Sequence, residues 1–326
     1  MLDIKTRIDK AIKEIRQLCS SLIIAFSGGQ DSTLVALIAK DALGSEKIKL
    51  LNITYGKYTY KKSIDIVKKS AEKLELDLLI KPSTESSEEV WKNGPSCNRC
   101  TKIVKLNSVK SYVQNGLIAS GANTSDSWGK TGIAIRDGIY SPLRYWNKKE
   151  IKEALEYYGF NIERIGENSI REGCKLKHLM KIMGNPSYHG EAVSQANEIL
   201  IDELKNFERE IANVKIIGPL SSNIALINVR PIPELKIREK IKNKIRNLKT
   251  IDRVQWVDKP ITLYISANPG LFGNEESRKW VHIGRIQNEF AFPVKIEWIL
   301  SKNRRLETFQ IVDYKMEDRD DKINCG

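Results

Sequence analysis

The sequence has no long uninterrupted run of apolar residues, although 41% of its 326 residues are hydrophobic. No stretch is therefore suited to cross a bilayer as a helix, and we expect no membrane partner. The chain opens with an amphipathic helical pattern instead of the apolar core of a signal peptide, which predicts a cytoplasmic protein. It also has only five cysteines, which argues against a fold held together by disulfide bonds.

The sequence also has fewer acidic than basic residues. It contains 41 Asp and Glu and 54 Lys and Arg, which gives a net charge of +13. An excess of positive charge favours a polyanionic partner. A general preference for Lys and Ile along the whole chain accounts for the same excess equally well. The length is sufficient for two domains.

Apolar strand-like segments alternate with helix-like segments through the first half of the chain. The predicted strands are residues 22–26, 49–55, 76–80 and 117–121, and the predicted helices are 1–20, 33–40, 60–74, 97–113 and 148–158. Strands that alternate with helices form right-handed βαβ units. The pattern therefore predicts an α/β fold, a parallel sheet with helices on both faces, whose ligands bind beyond the carboxyl ends of the strands.

The pattern changes in the second half. Six strand-like segments and one helix, at 233–248, predict a separate C-terminal α+β domain over residues 214–326. The division predicted from the sequence is an α/β domain at 1–190, a linking helix at 191–213, and this last domain, which binds substrate or RNA. We also expect a helix over 174–183 and a frayed polar tail over 316–326.

A short polar turn separates the first predicted strand from the next helix. Its residues are Ser27, Gly28, Gly29, Gln30, Asp31 and Ser32. Such a turn leaves consecutive backbone N–H groups directed at one point, and the helix that follows adds its partial positive charge. The arrangement predicts an anion site, most often for phosphate. An ordinary polar turn between a strand and a helix is the alternative.

The motif S-G-G-x-D-S after a strand resembles the pyrophosphate-binding loop of the PP-loop (N-type) ATP pyrophosphatases. Enzymes of this superfamily cleave ATP to AMP and pyrophosphate while they adenylate a substrate, and their motif differs from the P-loop of kinases and GTPases. The resemblance implies that residues 27–32 bind ATP together with Mg²⁺ and that Asp31 has a catalytic role. It extends over roughly residues 20–185.

Three cysteines form a second pattern. Cys97 and Cys100 make a Cys-x-x-Cys at the start of a predicted helix, and Cys174 follows later in the chain. A pair at a helix start suits a metal centre or a redox pair, because the helix N–H groups stabilise negative sulfur. Together with the turn, the set resembles the iron–sulfur-dependent sulfur transferases of the PP-loop superfamily, which thiolate tRNA or make the sulfur-bearing cofactor of lactate racemase.

This resemblance implies that Cys97, Cys100 and Cys174 ligate a [4Fe–4S] cluster with one open iron, and that Cys174 is catalytic. Zn²⁺ with His178 as fourth ligand, or a cysteine persulfide, are the alternatives. Outside such a site, His178 is expected on the surface of a helix. Cys19 is interpreted as a small buried residue and Cys325 as incidental.

A second loop, G-A-N-T-S-D at residues 121–126, resembles the G-x-N-x-D-D loop of the same synthetases. The resemblance implies that Gly121 and Asn123 bind the nucleotide and that Asp126 is a catalytic acid facing ATP or its magnesium. Ser125 stands where the family often has a first acid. Asn, Ser and Asp also form such turns unaided. The following S-P-L and K-K-E-I motifs, at 141–143 and 148–151, are interpreted as structural.

The predicted function is ATP-dependent sulfur transfer to a carbonyl group, with tRNA as the favoured acceptor because of the net charge and the basic helix at 233–248. A small carboxylated cofactor is the alternative acceptor, and a sulfur-free adenylating amide ligase is the alternative reaction. The sulfur donor would be sulfide or a persulfide carrier. The oligomeric state stays open, with a homo-oligomer among the options.

Overall fold

The computed structural model describes residues 3–113, 116–126, 129–162 and 173–317. The chain forms two compact units. The first unit comprises Met1–Thr84 and Thr101–Gly166, and the second unit comprises Glu85–Cys100 and Glu167–Gly326. Most of the predicted frayed tail, including Cys325, lies outside the described residues.

The helices are, in chain order, α1 (Ile4–Leu18), α2 (Gln30–Leu43), α3 (Lys61–Leu74), α4 (Thr84–Trp91), α5 (Cys97–Cys100), α6 (Ser108–Tyr112), α7 (Lys148–Tyr157), α8 (Glu191–Glu203), α9 (Leu235–Arg246), α10 (Pro269–Phe272) and α11 (Glu275–Lys279). The strands are β1 (Leu22–Ala25), β2 (Ile48–Thr54), β3 (Asp77–Pro82), β4 (Leu117–Ala119), β5 (Ile135–Arg136), β6 (Ile139–Tyr140), β7 (Ile211–Ile217), β8 (Ile224–Arg230), β9 (Arg253–Trp256), β10 (Ile261–Ala267), β11 (Val294–Leu300) and β12 (Phe309–Met316). Wider π-helical turns cover Thr101–Asn107, Pro186–Gly190 and Trp280–Ile286.

The first unit is built on a six-stranded sheet with the order β3-β2-β1-β4-β6-β5. All neighbouring strands are parallel except β5 and β6. β1 lies between β2 and β4, so the order of the chain reverses at β1. In open sheets of this kind, ligands bind beyond the carboxyl ends of the strands at that reversal.

Side chains of β1 alternate between the two faces of the sheet, as expected for a strand. Leu22 and Ile24 belong to a core with α1, α2, α3 and α7, whereas Ile23 and Ala25 pack with the cluster that includes Val109 of α6. Helices therefore cover both faces. The predicted α/β fold with a mainly parallel sheet is confirmed.

The second unit contains two three-stranded sheets, with the orders β7-β8-β9 and β11-β10-β12. A single apolar core includes residues of both sheets, among them Ile217, Leu226 and Leu263. All six predicted strands and the predicted helix at 233–248 are present, with ends shifted by a few residues. The α+β character predicted for the C-terminal half is confirmed.

The bounds of the units differ from the division predicted at residues 190 and 213. Residues 85–100 and 167–213 belong to the second unit. A physical reason is visible in α8, where the buried Asn197 side chain donates to Val214 O and accepts from Val214 N, each at 2.9 Å. These bonds tie the predicted linking helix to β7. The helix also ends at Glu203, and β7 begins at Ile211.

The predicted helix over 174–183 is wrong. The segment forms only a short 3₁₀ turn at Lys175–His178, after which Leu179 pairs with Ile216 of β7. Pairing with a strand thus replaces the intrahelical bonds. Over the described ranges, no helix combines the length and apolarity needed to cross a membrane.

Candidate functional site

The turn at residues 27–32 connects β1 to α2, as predicted. Gly28 has a φ of 69°, which a glycine adopts without strain, and Gly29 precedes the first helical residue, Gln30. Within the described part of the chain, the backbone N–H groups of Gly28, Gln30, Asp31 and Ser32 have no hydrogen-bond acceptor. These donors lie at the amino end of a 14-residue helix, so the turn has the features of an oxyanion site.

The two serines hold the turn in shape. The Ser32 hydroxyl donates to Gly29 O at 3.1 Å and accepts from Ser27 N at 3.2 Å, and the two serine hydroxyls are 3.2 Å apart. Ser27 Oγ also accepts from Gly29 N at 3.4 Å. The hydroxyls thus keep the chain folded back on itself while the other N–H groups of the turn remain available for a ligand.

Asp31 forms an ion pair that the sequence interpretation missed. Lys148 Nζ lies 2.8 Å from Asp31 Oδ1 and 2.6 Å from Oδ2, which fixes both carboxylate oxygens. The Asp31 side chain is nearly buried, whereas that of Lys148 is half exposed. The lysine is the first residue of α7, and a capping box formed by Asn147 and Glu150 stabilises the start of this helix. A positively charged side chain therefore lies at the turn that is predicted to bind phosphate.

Gly121 approaches the same turn from the end of β4. A Cβ at this position would lie 2.7 Å from Asp31 Cβ and 3.0 Å from Ser32 N, closer than side chains pack. Glycine is required here by the contact between two backbones. The structure thus brings the Gly121 loop and the Ser27–Ser32 turn together at the carboxyl ends of β1 and β4, as the sequence predicted.

The remaining residues of this loop form a closed turn. Asn123 is fully buried, donates to Gly121 O at 3.2 Å and accepts from Ser125 N at 3.0 Å. Asp126 is exposed, and its Oδ2 accepts from Asn123 N at 3.0 Å. These contacts show a structural role for both side chains, and the nucleotide-binding and catalytic roles predicted for them stay predictions.

The three cysteines all belong to the second unit. Cys97 is partly exposed and its sulfur accepts a hydrogen bond from Arg285 Nη1 at 2.9 Å. Cys100 is buried, and Cys174 is partly exposed. Among the described residues, no group of three or more His, Cys, Asp or Glu side chains is placed to hold a metal ion. The three cysteines are thus not assembled into a ligand set in this arrangement, and the predicted cluster stays a prediction.

His178 is not on the surface, so that expectation is wrong. It is fully buried, and its Nδ1 lies 2.9 Å from Lys215 Nζ. Glu289 contacts both Lys215 and the imidazole. Burial and the neighbouring Lys215 hold the pKa of His178 well below its ordinary value. The neutral ring is part of a buried charged cluster, and its Nδ1 faces an ammonium group, which does not suit a zinc ligand.

Two polar side chains with evident site contacts were missed from the sequence, Lys148 and Arg285. The first is the opening residue of the K-K-E-I motif, so its place at a helix start was a usable signal. Arg285 lies in the π-helical turn Trp280–Ile286, far along the chain from Cys97, and nothing in its neighbourhood marks it.

Residues 2–112 match the family model described as NAD synthase. The matched segment, less than half of the chain, includes β1, the Ser27–Ser32 turn and α2. The match supports the resemblance to the PP-loop superfamily over this segment. It does not support the assignment to the sulfur transferase branch. No match was found among curated proteins.

Proposed function

We propose that this protein is an ATP-dependent sulfur transferase that adenylates a carbonyl group, with release of pyrophosphate, and replaces the carbonyl oxygen with sulfur. The observation that carries the adenylation part of the proposal is the turn at Ser27–Ser32, with its unpaired N–H groups beside Lys148 and Gly121. The NAD synthase family match over residues 2–112, which includes the turn, supports an ATP-using enzyme.

The adenylation step follows from this geometry. The β- and γ-phosphates of ATP would accept hydrogen bonds from the N–H groups of the turn. The Lys148 ammonium, which pairs with Asp31 here, would exchange that partner for the phosphates and balance their charge. The substrate carbonyl oxygen attacks the α-phosphorus, and the bond to pyrophosphate breaks. Preorganised N–H donors stabilise the charge that develops on the leaving group. Mg²⁺ would offset the same charge, and the Asp31 carboxylate would hold it once Lys148 has released the two carboxylate oxygens.

The sulfur step is assigned to Cys97, Cys100 and Cys174. Sulfur attacks the activated carbon, and AMP leaves with the original carbonyl oxygen. The Arg285 guanidinium next to Cys97 supports this assignment, because a cationic donor stabilises negative charge on sulfur. A [4Fe–4S] cluster on the three thiolates is the proposed carrier. Among the described residues the three thiolates are not grouped as a ligand set, so binding of the cluster would have to bring them together.

The proposed acceptor is tRNA. The net charge of +13 supports this acceptor. The basic residues of α9 indicate which part of the surface would bind the tRNA. Lys240 and Lys244 both pair with Glu203, whereas Lys236 and Arg246 are exposed and have no carboxylate partner in the described part of the chain. Charges that are not neutralised within the protein are those available for phosphates.

The test is to separate the two half-reactions with variants. Wild-type protein, purified without oxygen, is given tRNA, ATP and sulfide, and AMP and thionucleosides are measured. Ser32→Ala should lose AMP formation, because its hydroxyl shapes the turn. The Cys97/Cys100/Cys174 triple alanine variant should form AMP and no thionucleoside. Normal thiolation by the triple variant would refute the sulfur assignment.

Iron and acid-labile sulfide, counted per chain on the same preparations, decide how sulfur is carried. About four irons in the wild type and none in the triple variant would establish the cluster. Zinc or no metal would remove the cluster and shift the assignment to a persulfide. AMP formation with no sulfur chemistry at all would assign a sulfur-free adenylating ligase.

A further inference from the structure

Strand β3 is the outer strand of the six-stranded sheet in the first unit. On its inner side it pairs with β2, and no other strand of the described residues pairs with its outer side. All six of its residues, Asp77–Pro82, are at least partly exposed. An uncovered edge presents N–H and C=O groups that can pair with a strand of another chain. The outer side of β3 is therefore open to a further strand.

The hydrogen bonds to β2 identify the backbone groups on this outer side. Ser83 N donates to Thr54 O at 2.9 Å, so the residue that follows β3 is directed at β2. Backbone groups of successive residues point to opposite sides of a strand, so the even-numbered residues of β3 are directed outward. Pro82 fits this assignment, because a residue without an N–H group is tolerated on the outer side of an edge strand. Leu78 and Ile80 thus offer two N–H and two C=O groups to another chain.

The side chains of β3 are complementary to those of a second copy that runs antiparallel to it. When Leu79 lies opposite its own counterpart, Leu78 lies opposite Ile80, and Asp77 lies opposite Lys81. Each of the two Leu78–Ile80 pairs can then exchange both N–H···O bonds, which gives four hydrogen bonds. The central leucines form a non-hydrogen-bonded pair, in which the Cα atoms are only about 4.5 Å apart and the side chains contact each other.

The charges at the two ends of the strand favour the same pairing. Within the described part of the chain, neither Asp77 nor Lys81 forms an ion pair, and Lys81 Nζ lies 5.4 Å from the centroid of the Tyr112 ring. Lysine and proline on an edge can also prevent association. In the antiparallel arrangement, however, each lysine faces an aspartate, and two such pairs flank the leucine contact. Opposite charges in directly opposed positions stabilise a strand pair.

Other registers lose these contacts. A shift by two residues in one direction brings Pro82, which has no N–H group, opposite Leu78. The same shift in the other direction brings Leu76 opposite Ile80, but Leu76 N already donates to Ala71 O at 3.2 Å. Both shifts also separate the two charges. A shift by one residue opposes groups that face outward with groups that face β2. The antiparallel register centred on Leu79 is therefore favoured.

The surfaces on both faces of the strand have room for apolar side chains of a second copy. On one face, the side chains of Leu79 and Tyr112 are 48% and 47% exposed. On the other face, an open groove of about 410 Å³ lies between β3 and α3, and its lining includes Leu78 and Ile80. Exposed apolar surface beside an unpaired edge is typical of an interaction site. Both surfaces would lose contact with water when a second copy adds its strand.

We propose that two copies of this chain form a symmetric dimer by antiparallel pairing of their β3 strands, which joins the two sheets into one. The interface is the same surface on both copies, as a twofold axis requires. It uses neither the turn at Ser27–Ser32 nor the cysteines, so it is independent of the proposed sulfur transfer.

Sedimentation equilibrium of the full-length protein at physiological ionic strength tests the proposal. Because the strand contact is short, the wild type should change from monomer to dimer with a Kd on the order of micromolar. Asp77→Lys and Lys81→Asp should each weaken the dimer about tenfold or more, because each replaces two attractive pairs by two pairs of like charge. Lys69→Glu is the control, since this lysine is exposed on α3 outside the groove, and it should leave the Kd unchanged.

Two combinations of the charge variants test the register itself. The double variant Asp77→Lys/Lys81→Asp should dimerise within about threefold of the wild type, because both pairs are rebuilt with their signs exchanged. An equimolar mixture of the two single variants should form a heterodimer, since every pair across its interface then joins a lysine to an aspartate.

A wild type that is monomeric up to about 200 µM, well above the expected Kd, would overturn the proposal. So would dimers of both single variants as stable as that of the wild type, which would place the interface elsewhere on the surface. Failure of the mixed single variants to associate would refute the antiparallel register.

Discussion

Replacing Gly121 with alanine should disable the turn that we assign to ATP. The new Cβ would lie 2.7 Å from Asp31 Cβ and 3.0 Å from both the Asp31 carbonyl carbon and Ser32 N. Ordinary contact begins at 3.4 Å, so the β4 loop and the start of α2 must separate by about 0.7 Å. Two of the three nearest atoms belong to the backbone, which cannot rotate away.

Overpacking of this kind costs about 1–3 kcal/mol of unfolding free energy. The larger effect is expected on function, because displacement of reacting groups by about 1 Å can lower a rate roughly 10²-fold. Urea unfolding measures the first effect, and AMP formation measures the second. Gly184→Ala is the control, since a Cβ there meets no atom within 4 Å, and it should change stability by less than about 0.5 kcal/mol.

Wild-type AMP formation by Gly121→Ala, with unfolding also unchanged, would refute the close approach of these two loops. A loss of stability with full activity would keep the packing argument and reject the assignment of the turn to ATP. Loss of activity in the Gly184→Ala control would show that AMP formation is sensitive to any glycine substitution and does not report on this contact.

Two further predictions concern buried or paired charges. Lys148→Met should lower AMP formation at least about tenfold. It should also lower the free energy of unfolding by about 1–3 kcal/mol, because it leaves the nearly buried Asp31 carboxylate without its partner. Equal AMP formation by this variant and the wild type would contradict the role of Lys148. Burial lowers the pKa of both His178 and His189, so the unfolded chain takes up protons below pH 6.5 that the folded chain does not. Stability should therefore fall from pH 6.5 to 5 by up to about 1.4 kcal/mol per pH unit for each histidine, and a flat profile in urea titrations would contradict their burial.

Elements with a regular pattern were predictable from the sequence. The alternating apolar segments of the first half gave β1–β4 and the main helices to within a few residues, because strand and helix periodicities are local properties. The Ser27–Ser32 turn was also predictable, since its residue types are those that a strand–turn–helix anion site requires. Gly121 was recognised by its motif, although its contact with Asp31 was not.

The features that were missed depend on contacts between distant residues. Lys148 pairs with Asp31 across 117 positions, and Arg285 contacts Cys97 across 188. His178 was expected on a helix surface, but Lys215 and Glu289 enclose it in a buried cluster. No periodicity in the local sequence encodes such pairings, so they become visible only when the fold brings the segments together.

The most direct test of the sulfur transferase assignment is the ratio of AMP formed to sulfur incorporated in a single turnover. Enzyme in excess over tRNA, with ATP labelled at the α-phosphate and sulfide as donor, should give one AMP for each thionucleoside. The triple variant lacking Cys97, Cys100 and Cys174 should give AMP with no thionucleoside. Formation of ADP in place of AMP, or sulfur incorporation without ATP cleavage, would contradict the account.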